Sequence, residues 1–264
     1  MVGLLLAIGC AKSAEGLDGS CEPSALLQRG EQWIVGDNEQ GRHLFVYDSR
    51  FKRQADLALP LDVDDIEALA LDGSTLWVVG SHSTSKKGER RPGRERILRL
   101  DANPAVLTVD FAACPECVAA RGEAPDKGGL NIEAAAVANG QLLLGLRGPM
   151  RGDKAILLVV DPTSGRVTES REVNLGGEAF RELVPWKSGF LAVSGPVADG
   201  GGAHHLWWWP SLDTAPTRRD ATFPASTEAI LPLEGEIVYL VDGDGKAGKC
   251  VTPAGVGRVN AALP

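Results

Sequence analysis

Glu67, Glu133 and Glu228 stand in near-copies of one short pattern, "DIEAL", "NIEAA" and "STEAI". Weaker copies place Ser24 in "PSALL" and Arg181 in "FRELV" at the same point, and the five positions follow at intervals of 43, 66, 48 and 47 residues. Fourteen residues further on, the copies carry Asn38, Ser81, Arg147, Gly195 and Asp242, with Asp37, Asp64 and Asp65 flanking. Repeats stacked about one axis would bring three carboxylates and two guanidinium groups to one place. Carboxylates crowded together repel, and protonation, basic partners or a metal ion must relieve them. Three chemistries follow. Arg147 and Arg181 can pair with the glutamates in a network that only closes the space. A small anionic or polar ligand can rest on Arg147 and Arg181, with Ser81, His82, Asn38 and Lys86 as further contacts. Glu67, Glu133, Glu228 and Asp242 can offer oxygens to a hard cation, calcium foremost. That cation would activate water, with Glu133 or Glu67 as catalytic base.

Other chemical signals are weaker. The stretch "SHSTSKKGERRPGRER" sets Lys86, Lys87, Arg90, Arg91, Arg94 and Arg96 against only Glu89 and Glu95. It suits an anionic substrate, anionic lipid or a solvated loop. His204 and His205 are adjacent in a strand, so their side chains point to opposite faces and cannot share one metal. The calcium-loop-like "DGDGK" has Lys246 where a ligand should stand. Trp207, Trp208 and Trp209 in "LWWWP" read as packing first and as an aromatic binding box second.

The elements that must position these residues repeat with them. After each aligned position come a few apolar residues and a dipeptide ending in Gly (Arg29-Gly30, Asp72-Gly73, Asn139-Gly140, Ser188-Gly189, Glu234-Gly235). Then follow an apolar strand, a third apolar strand ("HLFVYD", "ILRLD", "AILLVVD", "HLWWWP", "KCVTP") and a more polar fourth segment ending with "GRVNAAL" in the last unit. Four short strands per unit of about 45 residues, with turn chemistry between them, predict an all-β chain folded as a single β-propeller of five blades, each of four antiparallel strands. Six blades is the alternative, but residues 112–129 show no four-strand pattern. First strands line the channel of such a fold. The aligned glutamates and the residues fourteen later therefore fall at one end of it, where the long loops also emerge.

The 264 residues are 44% hydrophobic and 23% charged, ordinary for a globular chain. A net charge of -8 argues against nucleic acid as a partner. The start, "MVGLLLAIGCAKSAEG", has an apolar run too short to span a bilayer and suited to a signal peptide. Its end, Ala7-Ile8-Gly9-Cys10, resembles a lipobox with Cys10 as the lipidated residue. The expectation is an exported bacterial lipoprotein, membrane-anchored through lipid alone, facing periplasm or cell surface; plain secretion is the alternative. Residues 1–21 are assigned to this segment and a linker, and 22–264 to the propeller. With Cys10 lipidated, four cysteines remain for an oxidising compartment. Cys21 and Cys250 could tie the two ends together, and Cys114 and Cys117 could close a small loop or form half of a zinc site.

The units "DIEALALDGSTLWVVGSHS", "NIEAAAVANGQLLLGLRGP" and "STEAI…VYLVDGDG" together resemble Domain of Unknown Function 3616, a family of bacterial proteins without an established activity. The likeness runs from Glu22 onward. More distantly, the "IEA" units are similar to propellers of the esterase-like phytase kind, which hold calcium on channel-end carboxylates. That likeness implies metal-facing Glu67, Glu133 and Glu228 and phosphate-facing Arg147 and Lys86. The chain is shorter by about a blade, and Arg181 and Ser24 occupy two ring positions. The leading expectation is a monomeric binding module for a small anionic or polar ligand. A calcium-dependent phosphoester hydrolase, and a docking scaffold for an envelope protein with an inert channel, are the alternatives.

Overall fold

The computed structural model describes residues 15–198, 202–246, 249–261 and 263. The described residues open with the two-residue strand β1 (Glu15–Gly16). Blade 1 is β2 (Pro23–Arg29), β3 (Gln32–Asp37), β4 (His43–Tyr47) and β5 (Arg53–Ala58). Blade 2 is β6 (Ile66–Asp72), β7 (Thr75–Gly80), β8 (Ile97–Leu100) and β9 (Ala105–Leu107). The short helix α1 (Pro115–Ala120) lies in the connection to blade 3. Blade 3 is β10 (Asn131–Ala138), β11 (Gln141–Gly148), β12 (Ala155–Val160) and β13 (Val167–Val173). Blade 4 is β14 (Ala179–Trp186), β15 (Gly189–Gly195), β16 (His204–Trp209) and β17 (Thr217–Phe223). Blade 5 begins with β18 (Thr227–Leu233) and β19 (Glu236–Val241). A hairpin of β20 (Asp244–Lys246) and β21 (Lys249–Thr252) interrupts it before β22 (Gly255–Asn260).

Five antiparallel sheets of four strands make a five-bladed propeller, and the first strands β2, β6, β10, β14 and β18 each contact the next around a closed ring. Two expectations change in blade 5. "GRVNAAL" supplies the third strand, β22, rather than the fourth, and "KCVTP" belongs to the inserted hairpin. The fourth strand is β1, which pairs with β22 through Glu15↔Val256 and Gly16↔Gly255. Among the described residues the propeller thus includes Glu15 and Gly16, ahead of the expected Glu22, and its last blade is completed by β1. Sequence order hides this, because a strand of two residues has no readable period. Cys21 is bonded to Cys250 across the same seam, with Cα atoms 5.3 Å apart and 229 residues between them in sequence.

The apolar strands are buried on both faces, which is why their sequences do not alternate. Ala25 and Leu27 of β2 pack towards blade 2, and Leu26 between them packs towards blade 5. The core is accordingly distributed over five seams between successive blades. Trp207 and Trp209 sit in the seam between blades 3 and 4, and Trp208 packs against the seam between blades 4 and 5. The three tryptophans are packing residues. At the β10–β11 hairpin, Asn139 (φ 51°) and Gly140 (φ 70°) both take left-handed backbone, as a two-residue turn matched to strand twist requires. In blade 4 the positive φ falls on Lys187 (49°), one place before the expected Ser188-Gly189.

Residues 112–129 hold α1 and a single 3₁₀ turn, Pro125–Lys127, instead of a sixth blade. Cys114 caps α1, is bonded to Cys117, and both are buried in the seam between blades 2 and 3.

Candidate functional site

Each first strand skips one residue of its ladder near its start. The skipped residues are Ser24 in β2, Glu67 in β6, Glu133 in β10, Arg181 in β14 and Glu228 in β18. These are the five aligned positions. A β-bulge leaves one residue unpaired and re-aims its side chain. Here the device is repeated five times around a channel. It explains why the polar residue recurs within otherwise apolar strands.

Four of the five line a cavity of about 1080 Å³ at the channel mouth, namely Glu67, Glu133, Arg181 and Glu228. Ser24 turns aside and donates its hydroxyl to Ile66 O. Of the residues fourteen later, Asn38, Arg147 and Asp242 line the cavity, and so do Lys86 and His204. Ser81 and His82 do not reach it. Ser81 Oγ donates to Ser83 Oγ at 2.9 Å, and His82 is buried with Nδ1 2.9 Å from Gly80 O and its ring edge-on to Phe111. Burial pushes the His82 imidazole down to about 4, so it is neutral at physiological pH. The neighbouring Ser83 lines the cavity in their place. Gly195 is needed where it stands, since a Cβ there would meet His204 at 2.4 Å and Arg181 Cγ at 3.1 Å.

One half of the mouth, from blades 3 and 4, is internally paired. Arg147 Nη1 donates to Glu133 Oε1 at 3.0 Å and Arg181 Nη1 to Glu133 Oε2 at 3.0 Å, while Asn131 Nδ2 donates to Oε1 at 2.8 Å. Both arginines also hold the loop after β15: Arg147 Nε donates to Val197 O and Arg181 Nη2 to Pro196 O, each at 2.7 Å. The Glu133 and Arg181 side chains are 6% and 8% exposed, so this ion triad is buried.

In the other half, from blades 5, 1 and 2, the ring glutamates are unpaired among the described residues. Glu67 and Glu228 make no hydrogen bond or ion pair with described residues. Burial, then the charges of Asp65, Glu133 and Glu228, push the Glu67 carboxyl well above its usual range. Burial, then Glu133 and Asp242, push Glu228 up to about 8 against the opposing pull of Arg181 and Arg147. Asp242 is exposed at the rim. The surrounding walls, then Glu22 and Asp37, raise its carboxyl, and the water on its open side limits that rise. Asp65 is taken by Arg94 at 3.1 Å. The metal set expected from Glu67, Glu133, Glu228 and Asp242 does not form: among the described residues no three His, Cys, Asp or Glu side chains come together as a metal site. Glu133, the expected base, has both oxygens committed to arginines.

The basic loop is tied down by its own acids and carbonyls. Arg90 Nε donates to Glu95 Oε1 at 2.6 Å, Arg96 to Asp62 O, and Thr84 Oγ1 to Glu123 O at 2.7 Å. Two features were not placed at the site by the sequence, where His204 was weighed only with His205 as a metal pair and Glu182 was not weighed. His204 is 2% exposed; its Nδ1 lies 2.9 Å from Thr227 O, and burial, then Arg181, lower it to about 4. Glu182 follows the aligned residue where the other four units have Ala25, Ala68, Ala134 and Ala229, and that break in pattern was its signal. Burial pushes its carboxyl well above the usual range, against the opposing pull of the Leu183 and Ile230 backbone N–H groups.

The family described as "Protein of unknown function (DUF3616)" matches residues 35–103 and 122–237. No curated protein matches the chain. Among solved structures, the chain is similar to the xylan beta-1,4-xylosidase from Bacillus halodurans C-125, with 9% identity, a TM-score of 0.56, and coverage of 94% of this chain and 54% of that one. Virginiamycin B lyase from Staphylococcus aureus gives 10% identity, a TM-score of 0.44, and coverage of 87% and 81%. The Dos1 propeller gives 14%, 0.41, 83% and 52%. The chain spans about half the length of the xylosidase and Dos1 chains. At 9% identity the xylosidase likeness shows a shared fold alone.

Proposed function

The chain belongs to the DUF3616 family, and from that premise we propose that this propeller is an envelope binding module that holds a small polar ligand at the channel mouth. The observation that carries this reading is the cavity of about 1080 Å³ into which ring residues from four blades are turned by their bulges. A pocket of this size at one end of a rigid scaffold, with a few convergent polar groups, is the usual form of a small-molecule site. Charge disfavours a purely anionic ligand. Nine lining carboxylates (Glu22, Glu39, Asp64, Asp65, Glu67, Asp126, Glu133, Glu228, Asp242) face five basic side chains, and the two deepest arginines are engaged by Glu133 and loop carbonyls.

Cys10 lies outside the described residues, and lipidation there is part of the proposal. β1 is antiparallel to β22, which is antiparallel to β19, so β1 runs towards the mouth as β19 does. An anchor on Cys10, at most about 18 Å of chain before Glu15, would then hold the propeller near the membrane with its mouth turned to the aqueous side.

The test is a thermal-shift panel of anionic, neutral and cationic polar small molecules on the wild type and on Ser226→Trp, which fills the rim without touching the ring. A ligand at about 100 times its Kd should add roughly 2.7 kcal/mol to stability. Saturable stabilisation that Ser226→Trp removes supports a pocket ligand. Stabilisation that survives the block, or none from any class, ends the reading.

A further inference from the structure

The mouth is chemically one-sided in what it leaves unmatched. Glu67 and Glu228, from blades 2 and 5, present carboxylates to the cavity with no partner among the described residues, and Ser24 between them has turned its hydroxyl away to Ile66 O. His204 is nearly fully buried yet lines the same cavity. Its Nδ1 sits against a carbonyl oxygen, so Nδ1 carries the proton and Nε2 is left as a lone-pair acceptor without a hydrogen bond among the described residues. Asn131 is 4% exposed and its amide orientation is fixed, because Nδ2 must donate to Glu133. That leaves its Oδ1 unpartnered at the cavity wall. With Glu67 and Glu228 ionised, as a bound cation would hold them, the unmatched groups lining the cavity are acceptors, apart from Arg181 Nε behind the Glu133 pair; the Thr227 hydroxyl beside Glu228 is also without a partner but does not line the cavity. Buried acceptors are costly to leave unmade, so the complement of this surface is a set of donors. Two unpaired carboxylates add that the donors should carry positive charge.

Resting on the pocket reading above, we propose that the unpaired half of the mouth seats an organic cation with N–H donors, an ammonium or guanidinium group, between Glu67 and Glu228. An N–H cation is preferred to a bare metal ion because the carboxylates do not converge on one point. It is preferred to an anion because both ring arginines already hold Glu133. The charged groups facing the seat are Asp65, Glu133 and Asp242 on the acidic side and Arg147 and Arg181 on the basic side. The raised carboxyls of Glu67 and Glu228 agree with a pocket lacking its counter-charge.

Isothermal titration calorimetry on the full chain with four probes decides it: agmatine, hexamethonium, inorganic phosphate and maltose. Agmatine and hexamethonium are both dications, but only agmatine has N–H donors. The expected result is saturable binding of agmatine, at least tenfold weaker in Glu67→Gln and in Glu228→Gln and unchanged in Asp220→Asn, an exposed acid on β17. Hexamethonium should bind at least tenfold more weakly. Equal binding of the two dications, or agmatine binding indifferent to Glu67 and Glu228, overturns the proposal. If phosphate or maltose binds in place of agmatine and Ser226→Trp abolishes it, the cation seat falls and the pocket stands. If none of the four binds, and the wider panel also fails, both fall.

Discussion

The two halves of the channel mouth use one residue type in opposite ways. On blades 3 and 4, Glu133 is buried between Arg147 and Arg181, with Asn131 on the same oxygen as Arg147. On blades 5 and 2, Glu228 and Glu67 occupy the equivalent bulges with no partner among the described residues. The backbone device is the same in both. The difference lies fourteen residues downstream and one blade along, where Arg147 and Arg181 serve Glu133 while Ser81, Asp242 and Ser24 offer Glu67 and Glu228 no cation. A recurring motif thus fixes where a carboxylate points, and its neighbours decide whether it is a strut or a contact surface.

The sharpest way to break this comparison is Arg181→Ala. Removing one partner of a buried ion pair leaves an uncompensated charge and typically costs about 3–5 kcal/mol. For a domain of this size that is on the order of 10 °C in Tm. Glu67→Gln in the unpaired half should cost less than about 1 kcal/mol. Equal losses in denaturant unfolding would mean the halves are not distinct.

Next in size is Cys250→Ser. The bridge to Cys21 closes the seam beside the unpaired half and constrains a long loop of the unfolded chain, worth roughly 2–4 kcal/mol. Thermal unfolding with and without reductant measures it. The variant should remove the difference that reductant makes, apart from the part due to Cys114–Cys117.

Titration sharpens the contrast further. Glu228 has a folded-state pKa near 8 against a usual 4.5, and Glu67 is raised in the same direction. Between about pH 4.5 and 8 the folded protein therefore holds protons that the unfolded chain has released, and its stability falls as pH rises through that window. His82 and His204, lowered to about 4 from 6.5, act oppositely: they destabilise as pH drops from about 6.5 to 4. Above pH 6.5 the carboxylates act alone. Tm should decline from pH 6.5 to 8, and Glu228→Gln should be more stable than wild type at pH 8.5 and close to it at pH 5. A flat wild-type profile would count against the unpaired carboxylates.

The smallest effect is expected at the rim. Arg90 is mostly exposed where it pairs with Glu95, so Arg90→Ala should change stability by less than about 1 kcal/mol, and less still in high salt.

The repeat, the five blades, the turn positions to within one residue and the bulge positions Ser24, Glu67, Glu133, Arg181 and Glu228 were legible in the sequence, although Ser24 turns away from the cavity. Each depends on local patterning, apolar runs punctuated by turn residues at a near-constant interval, and local patterning is written in consecutive residues. Other features were not legible. The completion of blade 5 by Glu15–Gly16 pairs residues some 240 positions apart. His204 enters the cavity because Gly195 leaves room for it. Ser81 had the right spacing, but its hydroxyl is bonded to Ser83, and the next residue, His82, takes left-handed backbone (φ 59°) that folds its ring back onto Gly80 O and away from the channel. Which glutamate is paired was also beyond the sequence, because the arginines that reach Glu133 come from two blades. Sequence determined the positions of the charges along each strand; only the closed ring decided which of them meet, because pairing depends on distances between blades that no single repeat contains.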